Sequence, residues 1–364
     1  MKSQRGTWKD ERGLLLHAGS VSRRRFLLSA ISAAALSSWS VRAQPKPLRF
    51  ADMHSHTGIL RKSVLTREMM TKNNMQLLAR KIVADGPVIR NVQGKGLQTY
   101  REAKPGELAG YFDGWIARLH EQHRAEKLAQ VVSAETLDRA IATGEPAVAI
   151  ASEGGDWLEG DIKRLESARA AGLVHLQLVH YRVSEVGDIS TERPVHNGLT
   201  DFGKDVIAGC NRLRILVDVA HGSPEVIDQA IDLAAKPVIY SHGHMSTDAP
   251  YWTQNVIRAR AIHKPQALKI AKKGGVVGLW PIAAQFRSLD AYADALINMA
   301  EALGPAHVGI GSDMFGVPPG AVIPDYEAFP ALEEILAKRR VAAADIEGML
   351  GGNYLRVLRQ SLVG

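Results

Sequence analysis

Short apolar runs alternate with segments of helical length, and this pattern predicts an α/β fold. The expected architecture is a (β/α)8 barrel of the TIM type, with loop and helix insertions on its active-site face. Runs of four to six β-branched or apolar residues between turn formers are typical of buried strands. Helical spacers between them are typical of a parallel sheet. The predicted strands lie near 48–54, 87–92, 146–152, 173–180, 214–221, 236–241, 275–280 and 307–312.

The segments between these strands have helical character, and the clearest are 160–171, 202–213, 224–234 and 265–273. The longer connection over 94–142 predicts excursions from the barrel, with two helices centred near Trp115 and Leu137. Loops on the active face of a barrel shape substrate access, so these excursions are expected to border a site. No Pro/Ser-rich linker or repeat interrupts residues 44–364, which are therefore expected to form one barrel domain.

Residues 1–43 have the pattern of a twin-arginine signal peptide. Arg23-Arg24 precedes an apolar stretch at 26–41, and Val41-Arg42-Ala43 offers a small-x-small cleavage site. The stretch is too short and too rich in Ser and Ala to anchor the chain in a membrane, so a periplasmic or secreted protein without a stable anchor is expected. The alternative, a buried N-terminal helix, leaves three consecutive arginines unexplained.

The charge of the chain resides largely in this leader. The 364 residues carry a net charge of +7, but residues 1–43 hold eight basic and two acidic side chains, which leaves 37 basic against 36 acidic ones. The remaining chain shows no basic stripe, so nucleic acid is not an expected partner. The single cysteine, Cys210, excludes an intrachain disulfide and is expected to be a small buried residue on a helix.

Histidine and acidic residues follow the predicted strands at the point where each strand ends. The carboxyl ends of all strands meet on one face of a barrel, so these side chains are expected to converge. Imidazole and carboxylate are ligands of zinc and related divalent metals. A single histidine at a strand end is more often structural, but the whole set indicates a metal centre. The set comprises His54, His56, Glu153, His180, His221, His242 and Asp313.

Eight short motifs occur in a fixed order along the chain. They are Asp52-Met53-His54-Ser55-His56, Ser152-Glu153-Gly154-Gly155, Leu178-Val179-His180, 198–203, 216–221, 238–242, Gly311-Ser312-Asp313 and 351–357. This series resembles the membrane dipeptidase (renal dipeptidase) family of the metal-dependent amidohydrolase superfamily. The resemblance extends over essentially all of the chain after the leader.

The resemblance implies two divalent metal ions, with zinc the expected element. His54 and the residue at 56 would hold one ion, His221 and His242 the other, and Glu153 would bridge both, as a carboxylate can. The family usually has Asp where this chain has His56, a change that keeps a ligand but removes one negative charge.

Several other residues compete for roles in this site. His244 could replace His242, but His242 directly follows the apolar run and matches the motif. Asp218 could orient His221 or could be a hydrogen-bonding residue of the core. The remaining histidines match no ligand position and are expected to be structural or exposed; they include His175, His196, His263 and His307.

Two metals sharing one water lower its pKa toward about 7, so a metal-bridging hydroxide would attack the peptide carbonyl. Asp313 is expected to move the proton from the water to the leaving amine, with a capping carboxylate as the alternative. His180 would hydrogen-bond the developing oxyanion and contact substrate. Arg260 resembles the family's carboxylate-binding arginine and would clamp the free C-terminus, although the spacing leaves Arg258 as an alternative.

The resulting prediction is a zinc-dependent dipeptidase that acts on small dipeptides, with a homodimer as a compatible assembly. One alternative is an amidohydrolase acting on a non-peptide amide or a lactone. A second is a non-catalytic exported binding protein, which would be expected to have lost Glu153, Asp313 or a histidine ligand; the sequence retains all of them.

Overall fold

Eight parallel strands form a nearly closed barrel in the computed structural model, which describes residues 50–93, 96–317 and 321–364. The strands of the chain are β1 (Phe50–Ser55), β2 (Met75–Val83), β3 (Ile89–Val92), β4 (Gly96–Thr99), β5 (Ala129–Gln130), β6 (Ala147–Glu153), β7 (Leu173–Gln177), β8 (Leu216–Asp218), β9 (Ile239–Ser246), β10 (Ala261–His263), β11 (Val276–Leu279) and β12 (Val308–Ile310). The barrel order is β1-β2-β6-β7-β8-β9-β11-β12. The predicted (β/α)8 class is confirmed.

The barrel closes just beyond the ends of β1 and β12. The backbone N–H of His56 donates to the carbonyl of Met314 over 3.0 Å, and the N–H of Asp313 donates to the carbonyl of His54 over 2.9 Å. These hydrogen bonds bring the two ends of the barrel sequence together. Three residues predicted to belong to the site, His54, His56 and Asp313, therefore lie at the seam.

Helices cover the outside of the barrel. They are α1 (Arg67–Lys72), α2 (Glu107–Ala125), α3 (Ala134–Thr143), α4 (Lys163–Ala170), α5 (Asp201–Leu213), α6 (Pro224–Leu233), α7 (Lys264–Lys272), α8 (Leu289–Leu303), α9 (Ala328–Lys338), α10 (Ala343–Glu347) and α11 (Asn353–Leu362). The predicted helices are confirmed, including the two in the excursion between β4 and β6. Cys210 is buried on α5, as expected. Among the described residues, no helix is long and apolar enough to cross a membrane. The predicted signal peptide lies outside the described residues.

The second barrel strand is β2, and the prediction of a barrel strand at 87–92 is wrong. Residues Ile89–Val92 do form a strand, but it pairs antiparallel with β4 in a separate two-stranded hairpin. The sequence of β2 conceals its burial because two charged residues, Arg80 and Lys81, interrupt the apolar pattern. Both side chains are fully buried, and charged side chains are rarely buried without a partner.

Lys81 lies inside the barrel and meets a buried carboxylate. Its Nζ is 2.8 Å from Oδ2 of Asp218 and 3.0 Å from Nε2 of His175. Burial and the Lys81 charge lower the pKa of His175 to about 3, so this ring is neutral and accepts the hydrogen bond. His175 Nδ1 then donates to the hydroxyl of Tyr354 on α11, 3.1 Å away. His175 is thus structural, as expected, and Asp218 belongs to the barrel interior.

We expect Lys81→Met to lower the free energy of unfolding by about 3–5 kcal/mol, because the Asp218 carboxylate would remain buried without its cation. Urea denaturation measures this change. Adding Asp218→Asn should recover part of the loss, since the buried charge is then gone. Lys204→Met is the control: this lysine pairs with Asp201 on the surface, so the change should cost at most about 1 kcal/mol. A double variant no more stable than Lys81→Met alone would contradict the ion-pair explanation.

Candidate metal centre

The predicted ligands converge at the carboxyl-terminal face of the barrel. His54 lies in β1, Glu153 ends β6 and His242 lies in β9, while His221 and Asp313 follow β8 and β12. His221 and Asp313 have left-handed backbone conformations, with φ of 68° and 50°. Non-glycine residues pay a strain energy for this conformation, and such strain concentrates at functional sites.

Glu153 lies at the centre of this cluster, and five imidazoles face its carboxylate. Its Oε1 is 3.2 Å from Nε2 of His54, 3.5 Å from Nε2 of His221 and 3.9 Å from Nε2 of His242. Its Oε2 is 3.2 Å from Nε2 of His56 and 3.4 Å from Nε2 of His180. Glu153 is therefore within reach of the imidazoles assigned to both ions, as a ligand shared by two cations must be.

The distances around His56 fit a shared divalent cation. His56 Nε2 is 3.2 Å from Nε2 of His54 and 3.2 Å from Oδ1 of Asp313. Two ligands on one tetrahedral zinc are separated by about 3.3 Å, given bonds of about 2.0–2.1 Å. On the other side, Nε2 of His221 and Nε2 of His242 are 2.9 Å apart. The sets His54-His56-Asp313, His54-Glu153-His242 and Glu153-His180-His221 each bring ligand atoms within 4.8 Å of one another.

The outer nitrogens of three imidazoles are held so that Nε2 points into the cluster. Nδ1 of His56 donates to the carbonyl of Lys81 over 2.8 Å. The Oγ of Ser241 lies 3.1 Å from Nδ1 of His54 and 3.0 Å from Nδ1 of His242, and it can accept a hydrogen bond from both. With Nδ1 protonated, a neutral imidazole presents the lone pair of Nε2, as a metal ligand must.

The protonation states separate the two halves of the cluster. Burial, reinforced by Arg260, lowers the pKa of His221, and burial with His54 lowers the pKa of His242, so both rings are neutral donors for a cation. Burial would also lower the pKa of His56, but Asp313 and Glu153 outweigh it and raise this pKa to about 10. Asp313 and Glu153 therefore favour positive charge at His56.

Asp313 and His180, predicted to act on substrate, lie at the edge of the cluster. Gly316 lets the Asp313 carboxylate approach, because a β-carbon there would overlap it. Oδ1 of Asp313 is 3.2 Å from Nε2 of His56, so this carboxylate could bind a cation together with His56 as well as carry a proton. His180 Nδ1 is 2.7 Å from Oδ1 of Asp85, which directs Nε2 toward Glu153.

Arg260 lies beside the cluster, whereas Arg258 is exposed to solvent. Arg260 is only 1% exposed, and its guanidinium carbon stands 5.5 Å from the centre of the Tyr181 ring. No carboxylate of the described residues pairs with it, and its Nη1 has no hydrogen-bond partner there. Of the two arginines considered from the sequence, only Arg260 is buried, and no anionic side chain of the described residues pairs with it. His244 joins none of the three ligand groups.

Several residues that support the site were not predicted. Asp52 accepts from Ser312, His54 and Tyr326, and so ties β1 to the loop that carries Asp313. Asp218, for which the sequence left two roles open, accepts from the backbone N–H of Ser241 and from Lys81, so its hydrogen bonds are those of a core residue. Asp85, Tyr181 and Ser241 also escaped prediction. Asp52, Ser241 and Ser312 carry a sequence signal, since each falls within one of the eight motifs, whereas Asp85 and Tyr181 do not.

Residues 115–363 match the family model of the membrane dipeptidases, peptidase family M19. The chain belongs to this family. Dipeptidase tcpJ of Claviceps purpurea is 24% identical over 242 residues, which are 65% of this chain and 56% of that protein. The chain spans about half the length of the curated relatives it matches.

Solved structures of other proteins share the fold. Dipeptidase AC, a metallopeptidase of family M19, has a TM-score of 0.72 at 18% identity, covering 86% of this chain and 99% of that one. A metallopeptidase from Rhodobacter sphaeroides, liganded with a phosphinate mimic of L-Ala-D-Ala, has a TM-score of 0.69 at 19% identity, with coverages of 86% and 99%. At these identities the likeness establishes the architecture.

We expect Ser241→Ala to weaken zinc binding about 10- to 100-fold, because two imidazoles lose the oxygen that orients them. Competition with a chromogenic chelator measures the affinity. Ser167→Ala on the surface of α4 is the matched control and should leave zinc binding unchanged. Unchanged affinity in Ser241→Ala would show that the hydroxyl does not orient these ligands.

Proposed function

We propose that this protein is a zinc-dependent dipeptidase. The observation that carries the proposal is the placement of Arg260, a buried cation without an anionic partner among the described residues, beside the His/Glu/Asp cluster. An arginine in this position suits a substrate carboxylate, which it can bind through two parallel hydrogen bonds. A free carboxylate next to the bond to be cleaved is what distinguishes a dipeptide from an internal peptide segment.

The donor set suits two divalent cations. His54 and His56 would hold one, His221 and His242 would hold the other, and Glu153 would lie between them. When bound, such cations supply a nucleophilic water at neutral pH and polarise the scissile carbonyl. The imidazole and carboxylate ligands favour zinc among the biological divalent ions.

The protein's own groups would then divide the remaining work. Arg260 binds the C-terminal carboxylate and so fixes the position of the peptide bond at the cluster. His180, whose ring is oriented by Asp85, donates to the carbonyl oxygen as negative charge develops on it. Asp313 takes the proton of the water and returns it to the leaving nitrogen, because an amine departs only when protonated.

A dipeptide with a free C-terminus should be cleaved, and the same dipeptide amidated at its C-terminus should be a poor substrate. Loss of the charged contact should cost about 2–4 kcal/mol of transition-state binding, which is about 30- to 1000-fold in kcat/KM. Arg260→Ala should erase this preference without removing metal. Arg258→Ala is the matched control and should keep it. The measurement is steady-state hydrolysis of the paired substrates.

Asp313→Asn should abolish turnover of both substrates, since the proton carrier is lost. Equal hydrolysis of free and amidated dipeptides by the unmodified protein would defeat the dipeptidase assignment. Turnover of a lactone or an acyl amide by protein that cleaves no dipeptide would favour the broader amidohydrolase alternative.

The metal content should be about two divalent ions per chain. Glu153→Ala should lose more metal than any single histidine substitution, because Glu153 alone faces every imidazole of the cluster. Mass-spectrometric metal analysis of purified protein measures this. Glu68→Ala, at an exposed position on α1, is the control and should retain both ions. Active protein without bound metal would refute the metal assignment.

A further inference from the structure

Tyr181 is fixed at the wall of the site by its backbone. It directly follows His180, and its N–H donates to Oδ2 of Asp85 over 2.9 Å. Its carbonyl accepts from the hydroxyl of Thr99 at the end of the β3–β4 hairpin, 3.2 Å away. The side chain is only 8% exposed. Tyr181 therefore has a defined position between the hairpin and the metal centre.

The Tyr181 ring lies between the histidine cluster and Arg260. Its centre is 4.6 Å from that of the His180 ring and 5.2 Å from that of the His221 ring, both in edge-on arrangements. The Arg260 guanidinium lies over the same ring. This contact is a cation–π interaction, and it holds the guanidinium at the site without occupying its hydrogen-bond donors.

The hydroxyl of Tyr181 makes no hydrogen bond within the part of the chain that the structure describes. A tyrosine hydroxyl is protonated at neutral pH, so it can act as a donor. Nη1 of Arg260 is likewise unpartnered among the described residues. Nη1 of Arg260 is thus a buried donor that requires an acceptor, and the Tyr181 ring that carries the second donor lies against the same guanidinium.

We propose that the Tyr181 hydroxyl is a second donor to the substrate carboxylate, acting together with Arg260. This inference rests on the proposed function, because it assigns Tyr181 to the same substrate group. A carboxylate has two oxygens and about four acceptor positions, so it can satisfy Nη1 of Arg260 and the phenol at once. Tyr181 would then determine specificity for the free C-terminus.

Tyr181→Phe isolates the hydroxyl, because phenylalanine keeps the ring under Arg260. The probes are a phosphinate mimic of a dipeptide and its C-terminal amide, both titrated by calorimetry into zinc-reconstituted protein. Tyr181→Phe should weaken binding of the free acid about 10- to 100-fold and change binding of the amide less than about threefold. Tyr100→Phe loses an exposed hydroxyl instead and should leave both affinities unchanged.

A double-substitution cycle tests whether the two donors share one target. If they do, Tyr181→Phe should have little further effect in an Arg260→Ala background, since the carboxylate is then no longer held in reach. Zinc content and thermal unfolding should stay unchanged in Tyr181→Phe. A substitution that weakens acid and amide equally, or neither, overturns the assignment.

The outcome separates this inference from the proposed function. Unmodified protein that cleaves dipeptides, with Tyr181→Phe showing full preference for the free acid, would leave the dipeptidase proposal standing and refute the role of Tyr181. Unmodified protein that binds the acid through Tyr181 but cleaves no dipeptide would refute the dipeptidase proposal and retain the carboxylate site. Unmodified protein that binds acid and amide equally would refute both.

Discussion

The active face is organised around one buried carboxylate, that of Glu153, which five imidazoles contact. An isolated charge is costly to bury, so Glu153 requires positive charge within a few ångströms. Burial alone would raise the pKa of Glu153, but the neighbouring imidazoles of His180, His54 and His56 hold it well below the ordinary value. Because these histidines come from different strand ends, the charge of Glu153 can be satisfied only when the barrel has closed.

The barrel interior below this cluster carries the second electrostatic constraint. Lys81 neutralises Asp218, and Asp218 in turn accepts from the backbone of Ser241. The hydroxyl of Ser241 contacts Nδ1 of His54 and Nδ1 of His242. The carbonyl of Lys81 accepts a hydrogen bond from Nδ1 of His56. One buried ion pair therefore supports ligands on both sides of the proposed metal centre. This explains why a strand in the middle of a hydrophobic barrel contains a lysine.

The proposed substrate side of the site has the opposite electrostatic character. Glu153 and Asp313 concentrate negative charge where cations would bind, whereas Arg260 and Tyr181 present donors a short distance away. A substrate with a polarisable carbonyl at one end and an anion at the other matches this separation. The β3–β4 hairpin contributes to this side as well, since the hydroxyl of Thr99 donates to the carbonyl of Tyr181.

The sequence by itself determined the barrel class and the convergence of the candidate ligands. Apolar runs reveal strands within a short window of sequence. The carboxyl ends of parallel strands meet on one face of a barrel for any set of loops. The proximity of His54, Glu153, His221 and His242 could therefore be predicted. The strand β2 could not be found in the same way. Arg80 and Lys81 break its pattern, and their burial depends on partners contributed by distant parts of the chain, such as His123 and Asp218.

Only the tertiary structure decided which arginine faces the site and which nitrogen of each imidazole points inward. Arg258 and Arg260 are two residues apart and chemically alike, and the turn that buries one exposes the other. Asp85, Tyr181 and Ser241 gain their roles only when distant segments meet in the closed barrel, through contacts spanning up to 187 residues of sequence. The local sequence pattern indicates which residues face a core. The direction of a side-chain hydrogen bond depends instead on the position of its partner, which can come from a distant part of the sequence.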